Sequence, residues 1–107
     1  ENVVAIRLKK YEMDGALNVY YWKNIQHEEV DFVIKKGTKI RQLIQVCYDI
    51  NYVKTKERET RALIKASKEL RCNNLLILTE GKESEENLEW FGTKRKIKFL
   101  PLWKWLM

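Results

Sequence analysis

Two polar side chains interrupt apolar runs in the segment from Glu28 to Asp49. Asp31 lies in the run EEVDFVIKK, and Gln45 lies in the run KIRQLIQVCYDI, followed by Cys47. Polar groups within such runs either take part in chemistry or are satisfied locally by hydrogen bonds. On residue type alone, Asp31 is interpreted as a strand residue on a solvated face, and Gln45 is interpreted as a hydrogen-bonded amide in the core.

Other constellations that carry out chemistry are missing from the sequence. Cys47 and Cys72 form no CxxC pair, and with the single His27 they do not reach the four ligands of a structural zinc site. The four glycines are scattered, so the chain has no glycine-rich phosphate loop and no nucleotide site is expected in it. Cys47 is interpreted as a small buried thiol in a reducing cytoplasm, and His27 as a turn residue.

Length and composition fit one domain over residues 1–107. A hydrophobic content of 45% excludes a disordered tail. The formal charge of +6 favours acidic partners such as DNA, although a solvated basic surface explains it equally well. No run approaches the roughly 20 apolar residues that span a bilayer, and the start is no signal peptide. We therefore expect no membrane partner and a cytoplasmic location. The first residue is Glu1, which suggests a piece of a longer protein.

The first half of the chain is predicted to form a helix and three strands. Apolar residues at helical spacing predict a helix from Glu1 to about Tyr11. The runs LNVYYWK, EEVDFVIKK and KIRQLIQVCYDI are rich in β-branched and aromatic residues and have short connections, which predicts an antiparallel meander. In the second run, Val30, Phe32 and Ile34 alternate and are expected on one face.

The second half is predicted to form a crossover helix and two further strands. The segment NYVKTKERETRALIKASKELRCNN has an apolar helical stripe, and LLILT after it has the pattern of a strand buried on both faces. A right-handed crossover would make this strand parallel to the third. EGKESEEN is predicted to be a polar loop, TKRK a solvated turn, and KIKFLPLWKWLM a last strand with a terminal helix. Trp103 and Leu106 are expected to fold back onto the body.

Several segments, taken in order, resemble one known family. They are ENVVAIRL, YYWKN with EEVDFVI, LIQVCYD, RETRALIKA, LLILTE and FLPLWKWLM. The whole chain resembles the PD-(D/E)XK nuclease-like fold, and more narrowly the C-terminal domain of archaeal and bacterial AAA-type ATPases of unknown function. The resemblance implies a restriction-endonuclease-like α/β fold, with a mixed sheet of a three-strand meander, crossover helix and two further strands, flanked by helices. It also implies the ATPase domain of a parent chain as a partner.

The resemblance further implies where a catalytic site would lie. Asp31 matches the metal-binding aspartate of the fold, Gln45 and Cys47 stand where the family has Glu-x-Lys, and Glu1 matches a glutamate of the first helix. In this fold a divalent cation, Mg²⁺ or Mn²⁺, is held by carboxylates and activates a water, and the lysine stabilises the developing charge. Glu1, Asp31 and Gln45 are therefore the implied metal ligands.

Two departures from the family pattern bear on activity. Gln45 has one negative charge fewer than glutamate, so a hard cation would be held weakly, and Cys47 leaves the lysine position without a cation. Lys54 or Lys56 of the following helix could supply that cation. The function expected from these residues is an accessory domain with a degenerate metal site. The alternatives are an active Mg²⁺-dependent DNA endonuclease and a protein-interaction module.

The basic residues expected to contact DNA lie in two short segments. Lys54 and Lys56 lie at the start of the long predicted helix, and Lys94, Arg95 and Lys96 form the TKRK cluster. These side chains could neutralise phosphates, and binding through them would weaken as salt rises.

Overall fold

A computed structural model describes residues 2–107 as a six-stranded mixed sheet between helices. The elements along the chain are α1 (Asn2–Met13), β1 (Asn18–Lys23), β2 (Glu29–Lys36), β3 (Lys39–Val46), α2 (Val53–Leu70), β4 (Leu75–Thr79), β5 (Ser84–Trp90), β6 (Thr93–Pro101) and α3 (Leu102–Trp105). The strand order is β1-β2-β3-β4-β6-β5. Strands β1 and β5 therefore form the two edges of the sheet.

The first three strands form the antiparallel meander that the sequence predicts. Helix α2 then carries the chain across the sheet to β4, which pairs in parallel with β3, as expected for a crossover connection. Strand β6 also pairs in parallel with β4, and β5 is antiparallel to β6. Three strands, β4, β5 and β6, therefore follow the crossover helix, whereas the sequence predicts two.

The sheet has an apolar core on each face. Helix α2 packs Leu63, Ile64 and Ala66 on one face, and α1 packs Val4 and Leu8 on the other. All five residues of β4 are buried, because β4 lies in the middle of the sheet and is covered on both faces. A central strand of this kind has no alternation, which explains its run of four apolar residues before Thr79.

A bulge in β2 overturns the expectation that Val30, Phe32 and Ile34 share one face. Val30 packs into the α2-side core, whereas Phe32 and Ile34 pack into the α1-side core. In the pairing with β1, Val30 and Val33 are matched to Trp22 and Tyr20, so β2 has one extra residue in this interval. An extra residue reverses the alternation of the side chains beyond it. The irregularity falls at Asp31.

The segment predicted as an acidic loop contains most of β5. Along β5 the exposure of the side chains alternates from residue to residue, and Leu88 and Trp90 pack against the α2-side core. An edge strand can be polar on its open face, so charged residues do not exclude a strand there. The TKRK cluster is likewise the first part of β6 rather than a turn, and the actual turn consists of Phe91 and Gly92.

The C-terminal helix forms where Pro101 ends β6, but its packing differs from the expectation. Trp105 is the residue that packs against the α1-side core, whereas Trp103 is 60% exposed and Leu106 is only partly buried. Within residues 2–107, no helix combines the length and apolar character needed to cross a membrane.

Candidate functional site

Gln45 is held entirely by hydrogen bonds to the backbone of β2. Its Oε1 accepts from the backbone N–H of Asp31 at 2.8 Å, and its Nε2 donates to the carbonyl oxygen of Glu29 at 2.8 Å. The side chain is 1% exposed. Both ends of the amide are therefore used in joining β3 to β2, as expected for a buried polar group.

Asp31 makes the reciprocal connection from β2 to β3. Its Oδ2 accepts from the backbone N–H of Val46 at 2.9 Å. The last regular pair between the two strands is Phe32 with Ile44, so beyond it the strands are joined by side chains instead of the backbone ladder. We call Asp31 and Gln45, with their backbone partners in Glu29 and Val46, the strand clamp.

Asp31 also lines a cleft between the start of β2 and helix α2. The cleft has a volume of about 440 Å³. The charged residues on its walls are Glu28, Glu29, Asp31, Arg58, Glu59 and Arg61. Neither Gln45 nor Cys47 lines it, and both are buried. Of the three positions that match the family's Asp and Glu-x-Lys, Asp31 is the one that lines this Asp31 cleft, where a ligand could reach it.

Cys47 is a buried thiol, as the sequence predicts. It is 7% exposed within the α2-side core, and its backbone N–H donates to the carbonyl oxygen of Leu78 at 2.8 Å. Burial raises the pKa of the thiol, and the nearby Glu59 carboxylate raises it further. The side chain is therefore uncharged at neutral pH and cannot replace a lysine.

Glu28 binds the β1–β2 loop to the middle of α2. Its carboxylate lies 2.7 Å from Arg61 Nε and 2.7 Å from Lys65 Nζ, and Asn24 Nδ2 donates to it at 2.9 Å. Desolvation by burial raises its pKa, but the hydrogen bonds from Lys65, Asn24 and Arg61 outweigh this effect, so the pKa is lowered to about 2. Glu28 therefore pairs with two cations beside the Asp31 cleft and offsets one of their two positive charges.

Lys56 points away from the Asp31 cleft. Its Nζ lies 2.6 Å from Glu86 Oε1 on β5, and Lys82 Nζ lies 2.7 Å from the other oxygen of Glu86. Hydrogen bonds from Lys56 and Lys82 lower the pKa of Glu86 to about 2. Lys54 is exposed in the first turn of α2 and does not line the cleft. Neither lysine takes up the position that Cys47 leaves without a cation.

The expected DNA contacts of the TKRK cluster are divided between the two faces of β6. Lys94 and Lys96 are exposed on one face, which Lys98 continues. Arg95 lies on the opposite face, where its Nε donates to Ser67 Oγ of α2 at 2.7 Å. The structure thus separates Arg95 from the two lysines and places Lys98 in line with them.

The residues described do not fit a hexacoordinate Mg²⁺ site. Such a site needs several oxygen ligands that face a common point, but the amide of Gln45 is buried and used at both ends. Across residues 2–107, no three His, Cys, Asp or Glu side chains converge in a geometry for metal binding. Glu1, the remaining expected ligand, lies outside the described residues.

Sequence reasoning did not identify Glu59 as a residue of this region. Glu59 lines the Asp31 cleft, and it is near enough to Cys47 to raise the pKa of the thiol. Glu59 and Arg58 lie in a charged helical run, and such runs are usual on solvated helix faces. The sequence therefore has no signal that distinguishes these two residues from their neighbours.

These features define the chain as an α/β domain with a mixed six-stranded sheet between helices, in which two strands are joined by polar side chains. The sequence matches the family described as "Domain of unknown function (DUF4143)" over residues 1–105, and the chain belongs to this family. It is 37% identical over 107 residues to the "Uncharacterized protein MJ1544" of Methanocaldococcus jannaschii, covering 98% of this chain and 23% of that protein. The chain thus spans under a quarter of that relative's length. No solved structure matches it.

Proposed function

We propose that this chain is a nuclease-like domain with a degenerate metal site, which serves an AAA-type ATPase as a nucleic-acid-binding accessory domain. The meander, the crossover helix and the parallel pairing of β3 with β4 support the restriction-endonuclease-like part of this proposal. The single observation that carries it is the state of Gln45, which is 1% exposed and hydrogen-bonded at both ends of its amide.

The hydrogen bonds of the strand clamp support a structural role for Asp31 and Gln45, which join β2 to β3. In phosphodiester hydrolysis a cation must contact both the protein carboxylates and the scissile phosphate. A phosphate cannot approach Gln45, because the residue is 1% exposed and both ends of its amide are hydrogen-bonded to β2. Cys47 is buried and neutral, so it supplies no positive charge to an attacking water. The domain is therefore expected to hydrolyse DNA slowly or not at all.

The proposal that the domain binds nucleic acid rests on its positive net charge and on a row of lysines on one face of β6. The net charge is +6. Lys94, Lys96 and Lys98 alternate along β6 and are exposed, so they lie about 7 Å apart in a row. Glu89 and Glu85 stand opposite the first and last of these lysines, and Asn87 stands opposite Lys96. The row therefore has a small excess of positive charge.

Metal titration and a cleavage assay test the catalytic half of the proposal. Mn²⁺ is titrated into the domain while the backbone resonances of Asp31 and Val46 are followed, and nicking of supercoiled plasmid is measured for the unmodified chain and for Asp31→Ala. We expect no saturable shift and no nicking. Nicking that disappears with Asp31→Ala, and also with Lys54→Ala or Lys56→Ala, would show an active endonuclease and overturn the proposal.

A protein-interaction module is a second candidate, favoured by the free edge at β1. Tyr20 and Tyr21 on this edge strand are 52% and 69% exposed. Edge strands offer unpaired N–H and C=O groups to another chain. Lack of any DNA binding at low salt would favour this alternative over nucleic-acid binding.

A further inference from the structure

The tip of the β5–β6 hairpin exposes an aromatic ring in an unusual backbone conformation. Phe91 is 89% exposed, and its ring centroid lies 4.7 Å from that of Trp90. Phe91 and Gly92 form the two-residue turn between the strands, with φ values of 45° and 81°. Such turns favour Asn or Gly at the first position, so an aromatic residue there is not explained by the needs of the turn.

Trp90, beside it, is held in place by two cations of α2. Arg61 lies 5.3 Å and Lys65 lies 5.7 Å from the centroid of the indole ring. Both cations are in turn bound to Glu28, so this side of the indole is fixed by packing and charge. Trp90 is therefore held in place against α2, whereas Phe91 beside it is almost fully exposed to solvent.

A small groove runs between the aromatic pair and the C-terminal half of α2. Its volume is about 220 Å³, and its walls are Ile64, Lys65, Lys68, Trp90, Phe91 and Thr93. No carboxylate lines it, in contrast to the Asp31 cleft. Lys68 is exposed. It is in none of the ion pairs formed within residues 2–107, so its charge is available to an anion. We call Lys68, Trp90 and Phe91 the hairpin platform.

We infer that the hairpin platform binds unpaired nucleotides of single-stranded nucleic acid, with a base stacked on Phe91 and a phosphate beside Lys68. Base-aromatic stacking next to a basic groove is the usual means of binding a single strand. In a duplex both faces of each internal base are covered by its neighbours, so only an unpaired or terminal base can stack on Phe91. The inference rests on the proposed nucleic-acid binding and specifies the form of nucleic acid.

The test compares the binding of a single strand with the binding of a duplex. One variant removes the Phe91 ring, and another removes the Lys68 charge. Fluorescence anisotropy at low salt measures binding of a labelled oligothymidylate 12-mer and of a 12-base-pair duplex to the unmodified domain, Phe91→Asn and Lys68→Gln. The matched controls are Ile25→Asn, which changes a turn side chain that is also 89% exposed, and Lys39→Gln, which removes an exposed lysine elsewhere. Circular dichroism confirms that each variant is folded.

We expect Phe91→Asn to weaken oligothymidylate binding at least about fivefold while the control Ile25→Asn changes it little. Lys68→Gln should reduce the magnitude of the slope of log affinity against log salt by about 0.7 for the single strand, and duplex binding should be much less sensitive to Phe91. Equal losses for Phe91→Asn and Ile25→Asn would overturn the inference but leave nucleic-acid binding standing. No binding of either probe would overturn the proposed function itself, and the inference with it.

Discussion

At the scale of single residues, Gln45 is the residue on which the functional interpretation depends. A glutamine in the place of a catalytic glutamate can mean a weakened metal ligand or a residue kept for its hydrogen bonds. The contacts favour the second, because Nε2 donates to a carbonyl that a glutamate could not satisfy while ionised. The two meanings predict opposite results for a variant with glutamate at position 45.

The change Gln45→Glu should destabilise the fold at neutral pH. It replaces the donor to the Glu29 carbonyl with a carboxylate oxygen and leaves a charge in a buried position, so the free energy of unfolding should fall by about 2–4 kcal/mol. Urea unfolding at pH 7 measures it. Gln42→Glu, on the same strand but partly exposed, is the control and should stay within about 0.5 kcal/mol. A stable Gln45→Glu variant with raised Mn²⁺ affinity would show that the position is a latent metal site.

Glu28 should make stability depend on pH in the acid range. Its pKa is about 2 in the folded state against an ordinary 4.5, so its contribution is complete above about pH 4.5 and is lost as the pH falls towards 2. Glu28→Gln should cost about 1–2 kcal/mol at pH 7, less than the full shift would give, because Arg61 and Lys65 are a third exposed and screened by water.

The measurement for Glu28 is urea unfolding of the unmodified chain and of Glu28→Gln from pH 7 down to pH 2. The two curves should converge at the acid end. Glu83→Gln is a suitable comparison, since Glu83 pairs with Lys104 where both side chains are 47% exposed, and its effect should be close to zero. A difference that persists unchanged at pH 2 would mean that Glu28 acts through packing instead of charge.

At the scale of elements, the β5–β6 hairpin shows a turn that is not optimal for stability. Phe91 has a φ of 45°, a region that costs a residue with a side chain roughly 1 kcal/mol or more. Phe91→Asn should therefore raise the free energy of unfolding by about 1 kcal/mol, measured by urea or thermal unfolding. A lower stability would mean that the contact between Phe91 and Trp90 outweighs the backbone strain.

This hairpin also allows stability and binding to be separated. If the hairpin platform binds single strands, Phe91→Asn should give a more stable protein that binds oligothymidylate less well. Loss of binding through unfolding cannot produce that combination. The helix that supports the hairpin should be unaffected, since Arg61 and Lys65 remain bound to Glu28.

At the scale of the whole molecule, the net charge of +6 sets how DNA affinity should respond to salt. Each phosphate neutralised by a lysine releases counterions, so two to four contacts predict a slope of roughly −2 to −4 in log affinity against log salt for a duplex. The double change Lys94→Glu with Lys96→Glu should weaken duplex binding well beyond the double change Lys36→Glu with Lys39→Glu, which alters net charge equally on the β2–β3 turn. Equal effects of the two pairs would indicate an unspecific response to net charge.

The sequence by itself determined the elements that depend on local periodicity. The meander, helix α2 and the buried strand β4 follow from alternation, from the helical stripe and from the apolar run after it, and all are present. Cys47 as a buried thiol follows from its apolar surroundings. These features are encoded within a few neighbouring residues, so no distant contact is needed to predict them.

Only the tertiary structure decided the features that depend on partners far along the chain. Strand β5 is polar because it lies at an edge, and nothing in its own sequence states that it pairs with β6. The bulge at Asp31 places Val30 and Phe32 in different cores, which simple alternation cannot show. The sequence places Gln45 in a strand, but the role of the residue is set by the backbone of β2, because a buried amide takes its role from the groups that satisfy its hydrogen bonds.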